Sequence, residues 1–180
     1  MVYLGTNFRV KFVVFLFMVK QLALALSILA LVATFYQAYL QRVHNQKSVK
    51  PFMQIDLRDR EDLMFIRIQN NGIGPMIVDK LTFTKGAHQY TRFQDCLAID
   101  PKTYNQIEIT DTNKKIVTAG GFLEVFFKSF NLPDKEELKT LFRQELSALH
   151  LKVEGHDIYD NKIVVEKSLK WFARHLSLPA

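Results

Sequence analysis

Few side chains here carry the chemistry of a catalytic or metal centre, and their spacing argues against assembly. The histidines are His44, His88, His150, His156 and His175. No H-E-x-x-H occurs, so no pair of imidazoles shares a helix face in the zinc-ligand pattern. His150 and His156 flank one strand-like region and are the pair best placed to approach each other. Cys96 follows Asp95 and has no basic neighbour nearer than Arg92 to lower its pKa, so it reads as a packing thiol rather than a nucleophile. Asp56, Asp59, Glu61 and Asp62 form a carboxylate cluster, but Arg58 and Arg60 lie among them; the expectation is a solvated, self-neutralising turn. Gly72-x-Gly74 lacks the third glycine and the following helix of a dinucleotide site, and neither a Walker A loop nor a G-x-S-x-G elbow is present. The expectation is no catalytic residue, no metal ligand and no cofactor.

The most singular local signal is Asn70-Asn71-Gly72-Ile73-Gly74-Pro75. Asn side chains can bond the free backbone groups of a turn, glycine adopts φ > 0 without cost, and proline fixes φ. The structural expectation is a turn in which both glycines take conformations closed to other residues. The functional alternative is a docking loop of Asn70, Asn71, Gly72, Gly74 and Pro75, since scaffold-held loops often carry recognition.

The elements around that loop are mainly strands. Met53, Ile55 and Leu57 alternate with polar neighbours, as do Met64, Ile66 and Ile68, and Met76–Phe83 resumes after the loop. The connections are too short for helices, which argues for antiparallel pairing. Residues 90–97 read as a short helix or an irregular crossing. Gln106–Ile109 and Lys115–Val117 read as brief strands, and Phe122–Phe130 as a central strand. Pro133 or Asp134 opens one helix, with Glu136 and Glu137 at its N-terminus and an apolar stripe of Leu138, Leu141, Phe142 and Leu146. Leu149–Val153, His156–Tyr159 and Ile163–Phe172 complete the strands, with Asp160-Asn161 as a hairpin turn. Many short strands with one helix imply an antiparallel β-sandwich of immunoglobulin-like type.

The front of the chain is different in kind. Leu22–Leu40 is an uncharged run of nineteen residues, ~28 Å as a helix and close to the ~30 Å core of a bilayer. It exceeds the h-region of a signal peptide, and no A-x-A-like cleavage site follows, so it reads as a retained transmembrane helix. Tyr36 and Tyr39 fall at headgroup level, and Arg42, Lys47 and Lys50 follow as lipid-headgroup contacts. A second apolar run, Phe12–Val19, precedes Lys20-Gln21; it either extends the helix with Lys20 snorkelling or lies in the interface. Translation from Met18 would leave an ordinary anchor. Arg9, Lys11 and Lys20 balance the C-terminal flank, whereas a Met18 start leaves only Lys20 and favours a cytoplasmic C-terminal domain. Ala23, Ser27, Ala30, Thr34 and Ala38 form a stripe of small side chains, the pattern through which helices self-associate in lipid.

Charge follows the same division. Of 24 basic residues, only Arg9, Lys11, Lys20, Arg42, Lys47 and Lys50 precede Asp56, the first acid; beyond it the balance is neutral, with 18 acidic residues in all. The net +6 thus belongs to the head, and a nucleic-acid-binding body is not expected. With a single cysteine, no disulfide forms within the chain. The expected organisation is an N-terminal segment 1–21, a span 22–40, a basic linker 41–51, a β-sandwich 52–176 and a tail 177–180.

His44-Asn45-x-x-Ser48-Val49-Lys50-Pro51, the Asn70–Pro75 motif, Ile158-Tyr159-Asp160 and Leu169-Lys170-Trp171-Phe172 together resemble a group of small, uncharacterised bacterial membrane proteins with one span and a β-sandwich-like domain. The likeness covers roughly residues 20–172, and residues 1–17 depart from it. The resemblance implies a bacterial inner-membrane location and carries no established activity. Three functions remain open: an interaction or scaffolding module with a protein partner or itself, a membrane-tethered hydrolase, and a sensory subunit signalling through its span. A pocket gathering two of His88, His150 and His156 with acids would favour the hydrolase.

Overall fold

The computed structural model describes residues 3–110, 112–130 and 136–176, with side chains from residue 11 onward. It divides into two compact units, Met1–Lys47 and Ser48–Ala180.

The first unit is helical. Helix α1 runs unbroken over Tyr3–Ser48. At ~1.5 Å per residue its 46 residues extend ~69 Å. Phe12–Val19 therefore extends the helix, through Lys20-Gln21 and without a break. The helix also takes in residues 41–48, so the expected linker shortens to Val49–Phe52. From Lys11 to Ser48 it is long and apolar enough to cross a membrane, and its large apolar side chains are exposed.

The second unit is a β-sandwich built as the alternation implied. Strand β1 (Met53–Asp59) buries every second residue, and β2 (Leu63–Asn70) pairs with it antiparallel in the register Met53↔Asn70 to Asp59↔Met64. Strand β3 (Met76–Lys85) crosses to the other sheet, followed by β4 (His88–Tyr90), β5 (Asn105–Gln106) and β6 (Lys115–Val117). Strand β7 (Phe122–Ser129) returns to lie between β2 and β5, an interior position as expected. Helix α2 (Glu136–Ser147) precedes β8 (Leu149–Asp157) and β9 (Lys162–Ser168). The sheet orders are β1-β2-β7-β5 and β4-β3-β8-β9, with β6 beside β3 on the edge that carries β4. Every pairing is antiparallel. This is the ABED and C′CFG pairing of an immunoglobulin-type sandwich, with α2 between the strands equivalent to E and F.

The core lies between the sheets. Ile55, Met64, Ile66, Ile68, Met76, Val78 and Leu81 are buried there. Phe93 packs edge-on against Phe83 and Tyr104, and Phe126 and Phe142 continue the aromatic cluster at ring separations of 5.3 and 5.6 Å. Phe142 and Leu146 carry α2 onto this cluster, whereas Leu141 faces solvent.

Several local expectations are corrected. Leu149–Val153 and His156 belong to one strand, because Gly155 fits where a side chain would collide with the Ile77 carbonyl of β3; Tyr159 lies in the turn beyond it. The last strand stops at Ser168, whose hydroxyl accepts from the Lys170 N–H and opens a 3₁₀ helix over Leu169–His175. Its buried residues, Leu169 and Phe172, are three apart, the 3₁₀ period. Residues 93–96 form another 3₁₀ turn, and the Gln106–Ile109 strand reduces to Asn105–Gln106. The expected start of α2 at Pro133 or Asp134 and the tail 177–180 lie outside the described residues.

Candidate functional site

The chain enters the sandwich at one end, and the singular loop lies at that same end. Asn70 closes β2 and is fully buried. Its Oδ1 accepts from the backbone N–H of Phe52 (3.1 Å) and of Gly72 (3.0 Å). Its Nδ2 donates to the carbonyls of Gly74 (2.7 Å), Val117 (3.2 Å) and Thr118 (3.3 Å). One amide thus ties together the incoming segment, the loop and the β6–β7 connection. The backbone repeats the tie: Asn71 N–H donates to Phe52 O, Ile73 N–H to Lys50 O, Asn70 N–H to Gly121 O and Gly120 N–H to Asn70 O.

The expected capping by Asn70 is present, but the glycine reasoning is corrected. Neither Gly72 nor Gly74 has positive φ; among described glycines that conformation belongs to Gly86 and Gly120. Gly72 and Gly74 are needed for space. A Cβ on Gly72 would strike the Lys50 carbonyl and the Phe52 amide, and one on Gly74 would strike the Val49 carbonyl. Asn71 is exposed, and its Nδ2 donates to Gln54 Oε1 at 2.7 Å. Pro75 is half-buried.

The β8–β9 turn stands at this end too, held by Asp157. That carboxylate is buried and accepts from Tyr159 N–H (2.8 Å), Asn161 N–H (2.9 Å) and Asn161 Nδ2 (2.8 Å). Burial pushes its pKa up, but these hydrogen bonds and the nearby Lys50 charge outweigh it and hold the acid below its ordinary range. Lys50 therefore serves this end of the sandwich electrostatically, as well as belonging to the basic flank.

The end is also apolar. Phe52 (64% exposed), Ile73 (75%), Ile158 and Tyr159 stand out from it, with Ile116 and Phe122 on its flanks. Among the described residues, the remaining exposed large apolar side chains of the domain are Leu141, Val164 and Trp171.

The other end carries a polar network that the sequence did not disclose. Asp59 has no exposed side-chain surface and meets Arg143 of α2 in a two-point ion pair of 2.9 and 3.1 Å. Arg174 donates to the Asp59 carbonyl, and Lys139 donates to that of Glu61. The solvated-turn expectation thus fails at Asp59: the last residue of β1 is the buried counter-ion of a helix. The sequence signal was Lys139 and Arg143, spaced four apart beside the apolar stripe of α2.

The candidate chemical groups do not assemble. His150 and His156 lie six residues apart on β8, about 20 Å at the rise of a strand, so they do not approach each other. His156 Nδ1 instead meets Asp79 Oδ2 at 2.6 Å, and Lys114 Nζ meets Asp79 Oδ1 at 2.8 Å. Asp79 is the extra residue at a bulge between β3 and β8, which turns its carboxylate toward these partners. Burial pushes the Asp79 pKa up, but its contacts with Lys114 and His156 outweigh that and hold the acid below its ordinary value. The other ring nitrogen of His156 faces Asp160 at 4.0 Å. A cleft of about 320 Å³ beside Asp79 is lined by Lys80, Thr91, Arg92, Ile109 and Thr110, with none of the three histidines. Cys96 is buried, and burial pushes its thiol up to about 12. Among the described residues, no group of three or more His, Cys, Asp or Glu side chains converges in a metal-binding arrangement.

On α1, Tyr36 and Tyr39 are exposed, as are Arg42 and Lys47. Ala23, Ser27, Ala30, Thr34 and Ala38 fall within an arc of ~80° at 3.6 residues per turn. The Ser27 and Thr34 hydroxyls each donate to the carbonyl four residues back, Ala23 and Ala30, at 2.8 Å.

No protein-family model matches this chain, and no curated protein matches it.

Proposed function

We propose that this chain is a single-pass membrane protein that presents a β-sandwich as an interaction or scaffolding module at the cytoplasmic face of a bacterial inner membrane. The observation that carries this reading is an unbroken apolar helix, free of acids, leading through four residues into an autonomous sandwich core. Arg42, Lys47 and Lys50 supply the positive flank that orients such a span. The partner is a protein or a second copy, and the small-residue stripe is the face through which copies pair. The scattered titratable groups favour this reading over the tethered hydrolase.

Alkaline carbonate extraction of native membranes tests the anchor: the full chain is expected in the pellet, and release to the supernatant rejects the reading. Sidedness needs an introduced thiol, because buried Cys96 is closed to reagents. Ala87→Cys, at an exposed turn, is expected to react with an impermeant maleimide only after the cells are permeabilised. Affinity purification at native level then identifies the partner.

A further inference from the structure

We propose that the loop-bearing end of the sandwich is itself a lipid-contacting surface, with Phe52, Ile73, Ile158 and Tyr159 seated among the headgroups. The inference rests on the membrane-anchor reading above and extends it from the helix to the folded domain. Three observations converge on it.

The first is position. Only Val49–Phe52 separate the last residue of α1 from β1. Four extended residues reach at most ~14 Å. They are not free to extend, because Lys50 O accepts from Ile73 N–H and Phe52 N–H donates to Asn70. The second is composition. Exposed large apolar side chains are concentrated at and around this end, including an isoleucine and a phenylalanine that are each more than half exposed. The Asn70 and Asp157 bonds hold both apolar turns in fixed shapes, so little ordering entropy opposes insertion. The third is charge. Residues 41–52, which adjoin the surface in sequence, carry Arg42, Lys47 and Lys50 and no acid, matching anionic headgroups. Apolar side chains beside basic ones are the combination that binds a bilayer interface, at a depth of ~5–10 Å.

The only tryptophan supplies the control. Trp171 lies at the opposite end, where neighbouring Arg174 bonds the carbonyl of Asp59, the last residue of β1. The full chain is reconstituted in phosphatidylcholine–phosphatidylglycerol vesicles, with or without bromine on the acyl chains near the headgroup. Flotation and carbonate resistance are checked first, so that loss of the anchor reading is seen separately. In the Trp171→Phe background, Ile73→Trp and Phe52→Trp are expected to lose about twofold or more of their emission to bromine, as a shallowly inserted ring would. Trp171 in the parent chain is expected to be unaffected. Either introduced tryptophan suffices if the other variant fails to fold. A chain that floats while position 73 or 52 is quenched no more than Trp171 overturns the proposal. So does shielding of those positions from aqueous acrylamide without bromine quenching, which would assign the surface to protein contact.

Discussion

Asn70 ties three segments of the fold together with one side chain. Its amide has five backbone partners, and removing it leaves buried carbonyls and amides unpaired, at ~1–3 kcal/mol each where no water can replace the bond. Asn70→Ala is expected to destabilise the domain by several kcal/mol, read as a lowered midpoint in urea unfolding of the detergent-solubilised chain followed by Trp171 fluorescence. An unchanged midpoint would mean that the network is dispensable. Gly74→Ala is expected to be destabilising because its methyl meets the Val49 carbonyl, a backbone atom that cannot rotate away. Gly86→Ala is the control, since its φ of 60° is strained but open space surrounds it. If Gly74→Ala costs no more than Gly86→Ala, the backbone relieves the collision with Val49 and the space argument fails. The Asn-Gly-rich motif was legible as a structural turn in the sequence, whereas the reason for its glycines was not. Their neighbours are carbonyls of a segment some twenty residues upstream, and no local pattern reports such an approach.

At the scale of elements, alternation was sufficient for β1, β2 and β3, because each has one face on the core and one toward solvent or a covering side chain. It was insufficient where an element changes period. The Leu169 and Phe172 spacing marks a 3₁₀ turn, yet it follows Ile163 and Val165 closely enough to read as more strand. It failed also where partners are remote: Asp59 and Arg143 stand 84 residues apart, and nothing near either announces the other. Breaking a buried pair of this kind costs ~3–5 kcal/mol, so Arg143→Met is expected to be severely destabilising. Adding Asp59→Asn to Arg143→Met is expected to recover part of that loss, since it removes the unpaired buried charge. A double-mutant cycle in urea measures the coupling.

The pairing of carboxylates gives the whole domain a defined acid limit. Asp79, Glu145 and Asp157 each have a folded-state pKa below the ordinary value despite burial. Lys114 and His156 lower the first; Lys85 and the Ala98 N–H lower the second; the Asn161 and Tyr159 donors, with Lys50, lower the third. A depressed acid contributes stability that is complete above its unfolded pKa, ~4, and fades as pH falls through the folded value. Unfolding free energy is therefore expected to be flat in these groups above about pH 5 and to decline below pH 4. Asp157→Asn is expected to flatten part of that decline while lowering stability at neutral pH. A pH series of urea midpoints for parent and variant checks the sign.

The bonds from Asn70 to Phe52 and from Ile73 to Lys50 also determine where tension would go. A pull arriving through the helix does not simply peel β1 away from its first residue. It must first break a clasp that grips the incoming strand on its loop side and both sheets on the other. Traction exerted by a moving membrane or a docked partner would thus be shared across the sandwich at once, and the domain should behave as a rigid handle until that clasp gives.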